Sequence, residues 1–316
     1  MMQDTHLTHS ENFDQDDKNK TLILSILIPF YKDDPTELLL SLLNQLPKDD
    51  RVEILIYDDG SNDIGIEKSL YQIISRQSGR VCLISCENNK GRSHARNTLL
   101  EAARAEWVLF LDSDMRPVED NFIHRYYAHI NQNQSDIIFG GFTVPTDDIP
   151  HQQKLHQALS QTSDCLPLAD RIAKGPQYVA TSNLCVRKHI LDTEKFDPEF
   201  TGWGWEDSEW AARVAKVYRL THIDNPALHL GLESPRTLLE RFKTSGHNYE
   251  RFTQKHPDLA PSLKLYRLSQ KLKSTPGQSL MRPILKLLVI LGFVPMRLRL
   301  VALKLWRASW YADALS

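Results

Sequence analysis

The sequence predicts an α/β fold, a Rossmann-like sheet flanked by helices, with a basic helical extension at its carboxyl end. Three observations carry this. Short apolar runs alternate with stretches of helical period through the first third of the chain. Acidic residues stand at the carboxyl ends of those runs. Finally, the segment from Lys264 to Arg307 contains ten Lys or Arg and no Asp or Glu.

The near-continuous apolar run from Leu22 to Pro29 reads as a strand buried on both faces. A helical pattern from Pro35 to Leu46, a strand from Val52 to Tyr57, a helix from Glu67 to Ser78 and a strand from Val81 to Ser85 follow in turn. Gly91 to Ala105 suits a helix, and Trp107 to Leu111 a fourth strand. This alternation implies βαβ units and a parallel sheet. In such sheets ligands bind beyond the carboxyl ends of the strands, where Asp58, Asp59, Asp112 and Asp114 fall. Further strands are expected at Ile137 to Phe139, running into Gly140 and Gly141, and at Tyr178 to Val186. The polar stretch between Pro145 and Pro176 reads as a loop-and-helix excursion. A Gly/Trp loop at Gly202 to Trp205, a helix from Glu206 to Val217 and a run from His222 to His229 complete a first domain over residues 21–235. Residues 236–316 form the expected helical extension, and residues 1–20, polar and without an apolar core, a disordered lead-in rather than a signal peptide.

Length and composition fit one sizeable globular domain with an appendage: 316 residues, 41% hydrophobic and 25% charged, with a formal net charge of −2. That balance argues against a nucleic-acid-binding role. The four cysteines lack a CxxC spacing. Cys82 and Cys86, four residues apart on a strand, stand roughly 13 Å from each other, too far for a disulfide. Reduced, mostly buried thiols in a cytosolic protein are expected.

Asp112-Ser113-Asp114 places two carboxylates one residue apart at a strand end, where they can converge on a hard divalent cation. Such a cation can neutralise a leaving diphosphate. The same tripeptide also suits an acidic turn. Asp58 and Asp59, followed by Gly60 and Ser61, can take a base or ribose with Gly60 allowing close approach, or again form a turn. In Lys90-Gly91-Arg92-Ser93-His94-Ala95-Arg96, a helix N-terminus with two arginines one turn apart suits an anion; arginine pairs also line ordinary exposed faces. Trp203 and Trp205, beside Gly202 and Gly204, offer flat apolar faces for sugar rings or serve as core anchors. Glu206 and Asp207 are either a general base facing a cleft or charge favoured at a helix start. His229, far from any other histidine at ligand spacing, is by itself as well suited to a structural role.

The order of these motifs resembles a known family. Ser25 to Tyr31, Asp58 to Ser61, Asn89 to Asn97 and Asp112 to Asp114 look like the family 2 glycosyltransferases with the GT-A fold, a Rossmann-like mixed sheet flanked by helices. Ser182-Asn183, Phe196-Asp197 and Gly202 to Glu209, ending at His229, are similar to the carboxyl half of β-1,4-galactosyltransferases and of bacterial chondroitin-type polymerases. The likeness spans Leu22 to Leu232. It implies that Pro29, Tyr31 and Asp58 or Asp59 hold a nucleoside, commonly uridine. Lys90, Arg92, Arg96 and Ser113 join the donor-binding set. Asp112 and Asp114 become a DxD motif, with Asp114 on Mn²⁺ (or Mg²⁺) and His229 a further ligand. Asp207 becomes the base for the acceptor hydroxyl, Glu206 orients the acceptor, and Trp203 stacks on its sugar. The implied reaction is inverting transfer from a UDP-sugar to a saccharide or lipid-linked saccharide.

Two departures stand out. Thr181-Ser182 replaces a glycine-rich turn, which leaves the donor sugar open. Trp205 stands where the galactosyltransferases carry a small residue, which reshapes the acceptor side. A non-catalytic nucleotide- or sugar-binding module is the alternative, though such a module is expected to have lost one of Asp112, Asp114, Asp207 or His229. A nucleotidyltransferase is disfavoured because Phe30 to Pro35 lacks the glycine-rich basic loop after the first strand.

In the tail, Ile284 to Pro295 is too short to span a bilayer. Met296 to Tyr311 mixes basic and apolar residues as an interfacial amphipathic helix does; a packed helical subdomain is the other reading. The first predicts a cytoplasmic protein peripherally attached to the inner, anionic face of a membrane.

Overall fold

In the computed structural model, residues 5–8, 21–49, 51–77 and 79–315 are described. The strands are β1 (Thr5–Thr8), β2 (Leu24–Phe30), β3 (Val52–Asp58), β4 (Val81–Cys86), β5 (Trp107–Leu111) and β6 (Met115–Pro117). They continue with β7 (Ile137–Phe139), β8 (Phe142–Thr143), β9 (Asn183–Arg187), β10 (Leu220–His222) and β11 (Ala227–His229). The expected lead-in at 1–20 lies outside the described residues except for Thr5–Thr8, which pair antiparallel with β4.

The main sheet has the order β1-β4-β3-β2-β5-β9-β7-β10. Its first half is built as the alternation of runs and helices predicts: β3, β2 and β5 are parallel neighbours, and β4 lies parallel beside β3. Leu24, Ile26, Leu27 and Ile28 of β2 are fully buried, as a central strand covered on both faces requires. The flanking helices are Thr36–Leu43, Ile64–Ile74 and Arg92–Ala102. The second of these starts three residues before the apolar pattern implies. The reason is Asp63, whose side chain accepts from the N–H groups of Gly65 and Ile66 and caps the helix.

The second half departs from a parallel sheet. β9 runs antiparallel between β5 and β7, which makes the sheet mixed, as the family likeness implies. It begins at Asn183 rather than near Tyr178, because Pro176–Tyr178 is a 3₁₀ turn. The run from His222 to His229 is two strands in two sheets. β10 continues the main sheet, parallel to β7, and β11 joins a three-stranded sheet of order β6-β11-β8. Pro226, with no N–H to give a ladder, separates them.

The chain forms two compact units: 1–142 with 179–195 and 217–230, and 143–178 with 196–216 and 231–316. The first holds both sheets' long strands. The second is helical and takes in more than the tail beyond residue 235: helices Lys154–Ser163, Leu168–Lys174 and Glu206–Val214 belong to it with Pro235–Thr244, Gly246–Lys255, Lys264–Lys273, Arg282–Ile290 and Met296–Ala314. Helix Met296–Ala314 is its core. Ala302, Leu303, Trp306, Ala308, Tyr311 and Ala312 are buried, and the Trp306 indole donates to Leu239 O at 2.9 Å. Even Arg299 is buried, donating from Nε and Nη2 to Val289 O. This corrects the expectation that Met296–Tyr311 lies on a membrane by its apolar side: that side is packed inside the unit.

Candidate active site

The loops after β2 and β3 and before helix Arg92–Ala102 are tied to one another. Pro29 is the register partner of Tyr57 on β3, and Tyr31 is exposed, with Lys32 Nζ 5.0 Å from its ring centre. The Lys32 N–H donates to Ser61 Oγ at 2.7 Å, and the Ser61 N–H to Asp58 Oδ1 at 2.8 Å. Asp59 is buried, and its two oxygens accept from the N–H groups of Lys90 and Gly91, both at 2.8 Å. A Cβ on Gly60, whose φ is +78°, would lie 2.6 Å from Asn88 C and 2.7 Å from Asn89 N. Glycine is therefore required there both by conformation and by the touching loops. Of the two carboxylates expected to hold a nucleoside, Asp59 builds the loop pair, while half-buried Asp58 accepts only the short turn bond from Ser61 among the hydrogen bonds described.

Gly91 starts helix Arg92–Ala102 with φ +91° and no side-chain cap. Its first N–H groups, with exposed Arg92 and Lys90 beside them, form a cationic end suited to a phosphate. Arg96 is different: it is buried, with Nη2 3.6 Å from Asp112 Oδ1. One arginine of the pair is thus exposed at the helix start and the other is buried beside a carboxylate.

Beyond β5, Asp112 accepts the Met115 N–H through its backbone carbonyl, closing a tight turn over Ser113 and Asp114. β6 and β11 then pair so that Met115 stands opposite His229. This ribbon brings His229 Nε2 to 3.2 Å from Asp114 Oδ2 across 115 residues of sequence. The Leu230 N–H donates to Asp114 O at 2.9 Å, and Phe142 packs edge-on to the His229 ring. Burial alone pushes the Asp114 carboxyl up, but His229, with help from Arg92, holds it below its usual range. Asp114 Oδ1 is buried and, among the described residues, accepts no hydrogen bond. A buried anionic oxygen of this kind is costly unless a cation meets it. A carboxylate oxygen and an imidazole nitrogen side by side suit Mn²⁺. Among the described residues no third Asp, Glu, His or Cys stands with them. Asp112 faces Arg96 rather than joining the pair.

A buried polar knot behind this turn was not legible in the sequence. Asn183 donates to Gly141 O and Asn225 O at 2.7 and 2.8 Å, and Tyr126 OH donates to Asn183 Oδ1 at 2.7 Å. A Cβ on Gly140 would lie 2.4 Å from both the Asn183 amide nitrogen and Tyr126 OH. The Gly140-Gly141 pair and the Ser182-Asn183 motif were its visible traces in the sequence, though nothing there linked them.

In the helical unit, the loop before helix Glu206–Val214 carries Trp203, Trp205, Glu206 and Asp207. Gly202, Gly204 and Trp205 all have positive φ, at +75°, +89° and +77°. For tryptophan this conformation is disfavoured, and the surroundings hold it. The Trp205 indole donates to Tyr311 OH at 3.0 Å and its ring lies 4.6 Å from Tyr249 and 4.9 Å from Phe252. That is the anchor alternative for Trp205. Trp203 is half-buried against Phe242, with Arg241 5.6 Å from its ring centre. Asn248, another residue the sequence did not reveal, donates to Thr201 O and Gly204 O, both at 2.9 Å, and clamps the loop. Glu206 and Asp207 are half-buried in the first turn of the helix. Glu209, one turn on, is buried between Arg213, Lys255 and His256. Burial opposes its ionisation, yet His256 and Arg213 hold its carboxyl down to about 2. All three cysteines on strands, Cys82, Cys86 and Cys185, are buried thiols.

Comparison with known proteins fits this geometry. The TarS fragment 1-349 of S. aureus superimposes with a TM-score of 0.54 at 18% identity, covering 93% of this chain and 90% of that one. The mannosyltransferase PcManGT of Pyrobaculum calidifontis gives 0.58 at 16% identity, covering 92% and 86%. These likenesses establish the GT-A fold. In sequence, the glycosyltransferase GlyG of Streptococcus pneumoniae is 27% identical over 38% of this chain and 39% of its own length. The poly(ribitol-phosphate) β-N-acetylglucosaminyltransferase TarP of Staphylococcus aureus is 34% identical over 29% and 27%. The chain thus spans well under half the length of these two curated relatives. The model of glycosyl transferase family 2 matches residues 25–192, more than half of the chain. The match runs through β2, the tied loops, the Asp112–Asp114 turn and the Asn183 knot, and the chain belongs to glycosyl transferase family 2.

Proposed function

We propose that this protein transfers a sugar from a nucleoside-diphosphate donor, a UDP-sugar, to a saccharide or lipid-linked saccharide acceptor, with inversion. The observation that carries this reading is the pairing of Asp114 with His229, which leaves a buried, unmet carboxylate oxygen at a strand's carboxyl end. Asp114 and His229 would hold Mn²⁺ (or Mg²⁺), which when bound supplies positive charge for the departing diphosphate. Arg92 and the open N-terminus of its helix hold the phosphates, and Arg96 orients Asp112. Asp58, Pro29 and Tyr31 face the nucleoside, while Asp59 fixes the loops around it. Asp207 takes the proton of the acceptor hydroxyl, with Glu206 orienting the acceptor and Trp203 offering it an apolar face.

The neighbours lend support. TarS has been seen with UDP and with UDP-GlcNAc, and PcManGT with GDP-Man and Mn²⁺. WfgD of Escherichia coli, 29% identical over 39% of this chain, is a glucosyltransferase acting from UDP-Glc on a diphosphoundecaprenol-linked sugar. A lipid-linked acceptor in turn implies work at the cytoplasmic face of a membrane.

The deciding experiment is thermal unfolding with UDP, GDP, CDP or ADP, each with and without Mn²⁺. A ligand at about a hundred times its Kd adds roughly 2.7 kcal/mol. Stabilisation by UDP that requires Mn²⁺ is the expected result; no shift with any nucleotide would support a non-catalytic module instead. Asp207→Asn should then abolish turnover while keeping the UDP shift, because only the transition state loses an interaction. Wild-type turnover in that variant rules Asp207 out as the base.

A further inference from the structure

Seven of the fourteen large apolar side chains exposed among the described residues fall between Leu280 and Val301. Helices Arg282–Ile290 and Met296–Ala314 pack on each other, and the five residues 291–295 join them. Both turn one side into the same core: Leu285 and Val289 from the first, Ala302, Leu303 and Trp306 from the second. Their other sides therefore face away from that core, and these carry Ile284 and Leu287 on one helix and Leu298 and Val301 on the other. Phe293, in the joining loop, is 83% exposed, and Leu280, one turn before Ile284, is 79% exposed. Single exposed apolar residues are ordinary, but a concentration of this kind marks an interaction surface.

The charge around it has one sign. No Asp or Glu occurs from Leu259 to Ala312. Lys286, Arg297 and Lys304 are exposed among the apolar side chains, and Lys271 and Lys273 are exposed on the neighbouring helix. The cations that are not available are spent inside the unit: Arg299 on Val289 O, and Arg282 on Asp313 and Ser309. Among the described residues no helix is long and apolar enough to cross a bilayer.

We infer that the helical hairpin of Arg282–Ile290 and Met296–Ala314 is a docking tip for an anionic lipid bilayer. Phe293, Ile284, Leu287, Leu298 and Val301 enter the boundary between headgroups and acyl chains, and Lys286, Arg297 and Lys304 meet the lipid phosphates. Aromatic and aliphatic side chains at the tip with cations behind them fit that layered partner. A nucleic acid would match the cations alone. This places the membrane contact on the hairpin's outer sides and joining loop, not on the buried side of helix Met296–Ala314. It deepens the reading of a lipid-linked acceptor as to partner, but is tested independently of it.

The test is co-sedimentation of the full chain with vesicles of phosphatidylcholine alone or mixed with phosphatidylglycerol, at low and high salt. The expected result is binding only to the anionic vesicles, weakened by salt. Phe293→Glu combined with Ile284→Glu should weaken partition by about tenfold or more, since two apolar side chains that enter the lipid boundary are replaced by repelled charges. Lys286→Glu with Arg297→Glu should do so through charge alone. All four positions are exposed, and an unchanged unfolding temperature establishes that each variant is folded. A wild-type chain that stays in solution with anionic vesicles at low salt overturns the inference, as does equal binding by the Phe293/Ile284 variant. A dimer in gel filtration that this variant splits, without vesicle binding by the wild type, would identify the face as self-association and equally overturn it. The Mn²⁺-dependent UDP shift, read on the same variants, should be unchanged, so the two proposals fail separately.

Discussion

Asp58 and Asp59 are chain neighbours with different tasks, and replacing each by Asn separates them. Asp59 is 4% exposed and accepts the Lys90 and Gly91 N–H groups, one on each oxygen at 2.8 Å. Asn keeps one acceptor oxygen and turns an NH₂ group toward the other N–H. One charge-assisted hydrogen bond, worth about 1.5–3 kcal/mol, is lost, and the surviving one becomes neutral. The Lys90–Gly91 backbone lies near solvent, which relieves part of the orphaned donor's cost. The expected loss for Asp59→Asn is therefore about 2–4 kcal/mol. Among the described residues Asp58 Oδ1 takes only the Ser61 N–H, and an Asn at this half-buried site can still accept it, so Asp58→Asn should cost less than about 1 kcal/mol. Urea unfolding followed by circular dichroism measures both, read from the midpoint at constant slope. UDP affinity supplies the second axis: Asp58→Asn should weaken it with stability nearly intact, Asp59→Asn should lose both. Equal stability losses in the two variants, or under about 1 kcal/mol for Asp59→Asn, would refute the assignment of Asp59 to the loops.

Three further outcomes follow from the same structure. Gly140→Ala drives a methyl into Asn183 and Tyr126; overpacking and the broken knot should together cost about 3 kcal/mol or more in urea unfolding, and a wild-type midpoint would show that the knot yields without loss. Glu209, held at about 2 against an ordinary 4.5, is a depressed carboxyl: its stabilisation is present above about pH 4.5 and disappears as the pH falls from there toward 2. Glu209→Gln should cost about 3 kcal/mol at neutral pH and flatten stability across that acid window; an unchanged acid limb would refute the ion-pair cluster. Asp114→Asn should weaken Mn²⁺ binding, followed by the electron paramagnetic resonance of free Mn²⁺, about tenfold or more, and diminish the Mn²⁺-dependent UDP shift with it, while unfolding without ligand stays cooperative; equal Mn²⁺ binding would place the cation elsewhere.

The parallel half of the sheet was legible because each central strand is apolar on both faces and each connection is a helix of ordinary length. What looks like a blemish in those runs is itself part of the pattern in space. Ser25 and Glu53 are register partners on β2 and β3. The Ser25 hydroxyl donates to Glu53 Oε1 at 2.6 Å, and Arg104 donates to the same carboxylate through its N–H and Nε, both at 2.8 Å. No period announces such a partnership, since it depends on which residues the sheet sets opposite one another. The direction of β9, a strand the pattern did indicate, was hidden for a related reason: an antiparallel strand buried on both faces has the same composition as a parallel one, and only the path of the intervening helices decides its direction.

The candidate site was legible in residue types and not in their partners. Asp112, Ser113 and Asp114 mark a strand end in any α/β chain. What selects Asp114 is β6, a three-residue Met-Arg-Pro strand with no readable alternation, which carries the chain to β11 and so to His229. The same limit explains the tail. In sequence, Arg299, Lys304 and Arg307 all look like cations on one amphipathic helix. In space Arg299 meets the carbonyl of Val289 in the last turn of the preceding helix, where a cation complements unsatisfied carbonyls. Arg307 is 4.6 Å from the Phe242 ring centre, a cation–π distance, and Lys304 alone is exposed. A long aliphatic stem lets the same side chain end in solvent, on a ring or at a helix terminus. Which of these happens is decided by the neighbouring helices. The apolar residues left outside, at Ile284, Leu287 and Phe293, could therefore be recognised as unpartnered only after the helices were packed.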